Sequence, residues 1–192
     1  MTTAVHTVSI EELVAGLRQF PEAAFDQITT IRDYLHRTPV SVDSLAPYLC
    51  WNPQHYTRNL VDHTPLYDLM AICWEVGQAS SIHNHHNQNC WMAVPMGRLH
   101  VENYRTLHQD LSTGKCRIES FETVEMNLSQ PCAVDPREPV HRVINPQEFN
   151  QRAVSLHVYS RPFDRCVVYS AEKGTCGEID LHFTTRFGKQ EN

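Results

Sequence analysis

Up to about residue 50 the apolar positions recur at helical spacing. Ile10, Leu13, Val14 and Leu17 fall at i, i+3, i+4 and i+7, and Ser9 with Glu12 forms a capping-box pattern at the start of that face. A second helix is expected from Pro21 through Phe25, Ile28 and Leu35, because proline suits a first helical turn. Thr38-Pro39 interrupts it, and a short third helix is expected over 42–49, limited by Pro47. After about residue 54 the period changes. The run 66–76 is largely apolar and strand-like, and shorter segments rich in β-branched and aromatic residues follow at 91–94, 99–104, 117–124, 139–144, 153–159, 166–169 and 179–187. Gly97, Gly114, Pro131, Asp135-Pro136, Asn145-Pro146 and Lys173-Gly174 punctuate them. The pattern predicts an all-β barrel or sandwich behind a helical N-terminal cap.

With 192 residues, no internal repeat and no flexible linker, the expectation is one domain over 1–192, its helical cap at 1–53 and its β-barrel at 54–192. The net charge of −6 leaves no basic footprint, so neither nucleic acid nor an anionic membrane is an expected partner. No basic segment followed by an apolar one opens the chain, and no apolar run approaches the ~18 residues of a membrane span. A cytoplasmic protein is expected, and a monomer, since a small barrel with a covered edge can stand alone. The seven cysteines (Cys50, Cys73, Cys90, Cys116, Cys132, Cys166 and Cys176) are odd in number and lack a CxxC pair. They fit neither a disulfide framework nor a four-cysteine zinc site, and most read as small buried hydrophobes.

The candidate chemistry lies in SSIHNHHNQNCW, residues 80–91. His83 and His85 alternate, so on a strand both imidazoles would point to one side and give a metal half its shell. A third ligand is expected from a neighbouring strand, and His141, in PVHRVIN, is the strongest candidate. In a chain with 12 histidines an HxH pair arises readily by chance, so the surrounding spacing decides. Gly77, five residues, His83-x-His85, four residues, Cys90, six residues and Gly97 reproduce the first motif of the cupin superfamily, with cysteine where most members carry a glutamate ligand. Pro136-x-Glu138-x2-His141-x3-Asn145 resembles the second cupin motif, with Glu138 replacing a glycine. The resemblance implies an all-β, cupin-type jelly-roll barrel. Three neutral imidazoles leave a divalent ion two positive charges, which suits an anionic ligand such as a thiolate. Ligand softness alone leaves Fe(II), Zn and Cu open.

The strings YTRNLVD (56–62), CW (73–74), SSIHNHHNQNC, HRV (141–143), AVSLHVYS (153–160) and PFDRC (162–166) are similar to the cysteine dioxygenase family, over 56–188. That resemblance implies a non-haem Fe(2+) enzyme using O2 to convert L-cysteine to cysteine sulfinate, with His83, His85 and His141 as iron ligands. It places the substrate carboxylate on Arg58 with Tyr56 assisting, a cysteine–tyrosine thioether between Cys90 and Tyr159, and a relay through Ser155, His157 and Tyr159. Taken singly, Arg58 would read as a surface charge, Cys90, Tyr159 and His157 as core residues, and Trp74 as core more than contact. His86 alternates away from the cluster and is excluded as a ligand. Two departures stand out. Arg161 replaces the first of two prolines in the animal enzymes, so their cis serine–proline bond cannot form here and a second cation is brought near the site. Asn89 replaces a histidine beside the crosslinking position. The competing readings are a dioxygenase for another small thiol such as 3-mercaptopropionate, where relatives carry glutamine in place of Arg58, and a non-catalytic metal-binding cupin.

Overall fold

The computed structural model describes residues 6–128, 130–133 and 140–190. Pro136, Glu138 and Pro139 of the second motif lie outside these residues.

Helix α1 (Ile10–Leu17) begins as its sequence requires. The Glu12 amide donates to Ser9 Oγ at 3.2 Å, the Ser9 amide donates to Glu12 Oε2 at 2.7 Å, and Ile10, Leu13 and Leu17 are buried. The single helix expected from Pro21 divides into a 3-10 turn at Glu22–Ala24 and helix α2 (Ile28–Arg37). Phe25 sits at the break because its ring stacks on Tyr67 at 5.3 Å, and that burial outweighs helical continuity. The third helix is a 3-10 helix, Val42–Tyr48, with Pro47 inside it.

Thirteen strands follow among the described residues: β1 (Thr57–His63), β2 (Asp68–Trp74), β3 (Ile82–His83), β4 (Asn89–Met96), β5 (Leu99–Asp110), β6 (Lys115–Met126), β7 (Cys132–Ala133), β8 (Val140–Ile144), β9 (Ala153–Ser160), β10 (Arg165–Ser170), β11 (Thr175–Asp180), β12 (Thr185–Arg186) and β13 (Lys189–Gln190). Strand β1 is not singled out by its pattern, since Thr57, Asn59 and Asp62 are buried polar positions that break the apolar signal. The segment expected over 179–187 splits between the end of β11 and β12.

One sheet runs β13-β12-β1-β2-β9-β4-β7, and a second set runs β10-β11-β6-β5-β8-β3, with β3 pairing back onto β10. The strands therefore form the two-sheeted jelly roll of a cupin rather than one continuous barrel. Alternation assigns the layers. Leu69, Ala71 and Cys73 of β2, Trp91 of β4 and Val154, Leu156 and Val158 of β9 pack under the helical cap. Met70, Ile72 and Trp74, Cys90, Met92 and Val94, and Tyr159 face inward, against Leu99, Val101, Met126 and Val143 of the other sheet. After Asp68, strand β2 reads as continuously apolar because both its faces are buried.

Gly97 turns the chain from β4 to β5 at φ 76°, where a Cβ would stand 2.5 Å from the Arg152 carbonyl and 2.9 Å from Ala153 Cα. Asn145, fully buried at the end of β8, donates to the carbonyls of Trp74, Glu75 and Gln151 at 3.2, 3.2 and 2.9 Å. These two motif positions thus hold the ends of β2, β4, β8 and β9 in place around the histidines.

Candidate active site

His83 and His141 are directly opposed in the β3–β8 ladder, so the neighbouring strand supplies the third histidine as expected. His85 lies beyond the two-residue β3, in the turn that follows, and the convergence of its ring with His83 comes from that turn rather than from strand alternation. The rings stand 4.7–5.1 Å apart between centroids and at 62–87° to one another. One ring nitrogen from each lies within 4.8 Å of the others. His86, at φ 51°, is exposed.

His83 and His141 are held neutral. Burial pushes the His141 pKa well below its ordinary value, and the neighbouring His85 and His83 push it further; burial also lowers that of His83. His83 Nδ1 donates to the Ser81 carbonyl at 2.9 Å, which leaves Nε2 with its lone pair free to bind a metal. Both ring nitrogens of His141, 2% exposed, lack a hydrogen-bond partner among the described residues. Unsatisfied buried nitrogens are costly, and an ion bound between the three rings would satisfy one of the two. The donor set therefore fits a divalent transition metal bound by three imidazoles.

A cavity of about 60 Å³ opens beside the cluster. At ~10–15 Å³ of such volume per water, it holds a few waters or one small metabolite. Arg58, on β1, lines it and has no carboxylate within ion-pair distance among the described residues. Its guanidinium donates to the His182 carbonyl at 3.3 Å and to Met70 Sδ at 3.6 Å, and lies 5.5 Å from the Phe183 ring. Tyr56 stacks on Trp74 at 4.7 Å; burial raises its pKa, against the opposing effect of Arg58.

Ser155, His157 and Tyr159 share the inner face of β9, and a hydrogen-bonded chain joins them. Ser155 Oγ lies 2.8 Å from His157 Nε2, and Tyr159 Oη lies 3.2 Å from His157 Nδ1. Trp74, weighed as core, extends the chain, since its indole N–H donates to Ser155 Oγ at 2.9 Å. An indole can only donate. Ser155 is fully buried with these two partners, so its own hydrogen goes to His157 Nε2. Burial, with His83 and Arg58 nearby, lowers the His157 pKa to about 3, so the ring is neutral and its one hydrogen sits on Nδ1, donated to Tyr159. The phenol hydrogen of Tyr159 is left for the cavity. Burial, and secondarily Cys90, raises the Tyr159 pKa well above its ordinary value, so that hydrogen is retained.

Cys90 and Tyr159 are directly opposed in the β4–β9 ladder, and both are buried on the inner face. Phe163 closes the group, its ring 5.2 Å from Tyr159 and 6.4 Å from His85. Sequence reasoning missed Phe163 and Met70. Phe163 lies within the PFDRC string, but only the return of the chain after β9 reveals its contact; Met70 could have been found from its alternation with Ile72 and Trp74 on β2.

The two departures resolve structurally. No serine–proline bond is present, as expected, and the Ser160–Arg161 peptide in its place is itself cis. Arg161 does not approach the cavity: its guanidinium pairs with Glu22 of the cap, and its amide donates to Gln88 Oε1 at 2.7 Å. Asn89 likewise ties the sheet to the cap, donating to the Phe25 carbonyl at 2.8 Å.

A jelly roll that carries three converging histidines beside a small cavity defines a cupin-type metal centre. The sequence model of the family described as "Cysteine dioxygenase type I" matches residues 1–172, and the chain belongs to that family. Its relatives include cysteine dioxygenase type 1 of Homo sapiens, 32% identical over 93% of this chain and 84% of the relative. That of Rattus norvegicus is 30% identical over the same shares. Among solved structures, a protein with a double-stranded beta-helix domain from Klebsiella pneumoniae superposes with a TM-score of 0.47 at 14% identity, covering 71% of this chain and 88% of that one.

Proposed function

We propose that the chain oxidises L-cysteine with O2 to cysteine sulfinate, using Fe(2+) held by His83, His85 and His141. The family supports a dioxygenase. The observation that carries the substrate is Arg58, a cation lining the cavity with no carboxylate partner of its own among the described residues. A carboxylate on the substrate would complete its fork with two charge-assisted hydrogen bonds, and Tyr56 would back the same end. This favours cysteine over a smaller thiol, and a glutamine at the position would lack the charge.

Iron(II) at the three histidines would supply a centre at which thiolate and dioxygen are activated side by side. The protein's part is positioning and proton control. Tyr159 presents a phenol hydrogen toward that centre, His157 and Ser155 fix its direction, and Trp74 fixes theirs. Phe163, Ile72 and Val143 keep the cavity walls apolar, so few waters compete for the polar groups. The register of Cys90 against Tyr159 supports a thioether between them. The same reading makes the enzyme a cytoplasmic monomer formed as one domain.

The test is oxygen uptake by the iron-loaded protein, first with cysteine and then with 3-mercaptopropionate, with the sulfinate identified. Turnover of neither thiol would sink the proposal. Arg58→Gln should lower kcat/KM for cysteine by about 10–100-fold, the value of a charged hydrogen-bond pair. Cysteamine, which lacks the carboxylate, should be affected far less; equal losses would show that Arg58 does not grip that group.

A further inference from the structure

Beyond the histidine centre, two thiols meet where the second set of strands closes. Strands β6 and β11 share one ladder pair, Lys115 with Thr175, against six pairs between β10 and β11 and eleven between β5 and β6. Two reciprocal hydrogen bonds flank that pair, Cys116 amide to Gly174 carbonyl and Cys176 amide to Gly114 carbonyl, each 2.9 Å. The residues carrying these amides are both cysteines; each follows its member of the pair on antiparallel strands, so they flank it diagonally and their side chains share the face opposite to Lys115 and Thr175. Both are free and pack in one cluster; the Cys176 thiol donates to the Lys115 carbonyl at 3.5 Å, with the Cys116 thiol beside it. The neighbours Cys50 and Cys73 differ, because there Cys73 is reached through the Cys50 backbone.

We propose that Cys116 and Cys176 form a reversible disulfide that staples β6 to β11 at this closure. The half-exposed Cys176 is the entry point: its thiolate attacks a small-molecule disulfide, expelling one small thiol and leaving a mixed disulfide. Cys116, 7% exposed beneath it, then attacks the Cys176 sulfur and expels the second small thiol. The two protons lost by the cysteines leave on the two expelled thiols, so nothing else is consumed. Burial and the adjacent thiol raise the Cys116 pKa, so the resolving step quickens with rising pH. The staple bears on the histidine centre through the ladder, for Cys176 pairs with Tyr169 on β10, and the next residue of β10, Val168, pairs with His83.

The experiment treats the iron-loaded protein with oxidised glutathione and follows intact mass, peptide map and melting temperature. The expected result is a loss of two hydrogens joining Cys116 to Cys176, reversed by dithiothreitol, with Tm raised by about 5 °C or more for a loop of about 60 residues. Reversal separates it from a Cys90–Tyr159 thioether, which dithiothreitol would leave intact. Cys176→Ser, at a half-exposed position, should abolish both changes while leaving turnover of cysteine as it was. A stable glutathione adduct on Cys176, a disulfide joining other cysteines, or a Tm gain that survives Cys176→Ser would each overturn the proposal. Should that variant not fold, alkylation of the untreated and oxidised native protein decides, by whether these two thiols are lost together.

Discussion

The two faces of β9 are equally buried and otherwise opposite. Val154, Leu156 and Val158 point to the helical cap and fill space among Ile10, Leu13, Leu17 and Phe25. Ser155, His157 and Tyr159, alternating with them, point to the cavity and are each held in a directed hydrogen bond. One side is specified by volume and the other by polarity and proton order, across a single strand. Stability and chemistry are therefore separable here by a shift of one residue. Substitutions toward the cap should lower Tm and spare turnover, and substitutions toward the cavity should do the reverse.

The largest effect tests the cavity side. His141→Ala removes the proposed metal-binding nitrogen, and because neither ring nitrogen has a hydrogen-bond partner among the described residues no hydrogen bond seen there is lost with it. Activity should fall by about a thousandfold or more, the equivalent of several kcal/mol of transition-state stabilisation, with bound metal falling in parallel by elemental analysis. Retained iron and turnover would remove His141 from the centre. Next comes the cap side. Leu156→Ala should cost about 2–5 kcal/mol in urea unfolding through the cavity it leaves, with kcat per folded molecule unchanged. A matching fall in kcat would show that the two faces are coupled after all.

Much of this division is legible in the amino-acid sequence. The 3.6 period of α1, its capping box and the alternation of S-x-H-x-Y are all visible there, because each is a local pattern with one physical cause. The three histidines stand out by spacing, although their convergence depends on a turn for His85 and on strand register for His141. What stays hidden is non-local. Strand β1 carries its buried polar residues against partners over a hundred residues away, as when Thr185 Oγ donates to Asn59 Oδ1 at 3.0 Å. The role of Trp74 depends on where β9 lies relative to β2, and that of Arg161 on a cap residue, Glu22, at the far end of the chain.

Trp74 sharpens the comparison, since it is apolar in bulk yet belongs to the polar face. Trp74→Phe keeps an aromatic ring against Tyr56 but removes the donor that orders Ser155, so the proton direction through His157 to Tyr159 is no longer fixed. The expected outcome is about a tenfold or greater fall in kcat, in the range seen for outer partners of metal sites, with KM for cysteine little changed. Steady-state oxygen uptake checks it. If kcat is kept, the relay does not need its indole.

The smallest effect lies at an ionised contact on the cap side, where the division is least clean. Asp62 of β1 is 4% exposed; Arg18, at the C-cap of α1, donates to its oxygens at 2.5 and 3.1 Å, and Tyr67 donates at 2.7 Å. Burial works to raise the Asp62 pKa, but the Arg18 and Tyr67 hydrogen bonds overcome it and hold the carboxyl below its ordinary value. A carboxylate with a depressed folded-state pKa stabilises fully above its unfolded value near 4, and that contribution is lost as pH falls through the lower folded value. Asp62→Asn should therefore cost about 1–2 kcal/mol at pH 7, a figure kept low because Arg18 is half exposed. The gap between variant and native protein should narrow from about pH 4 downward in urea titrations. A gap that stays constant to pH 2 would mean that shape, not charge, docks α1 here, and the cap side would then be specified by volume throughout.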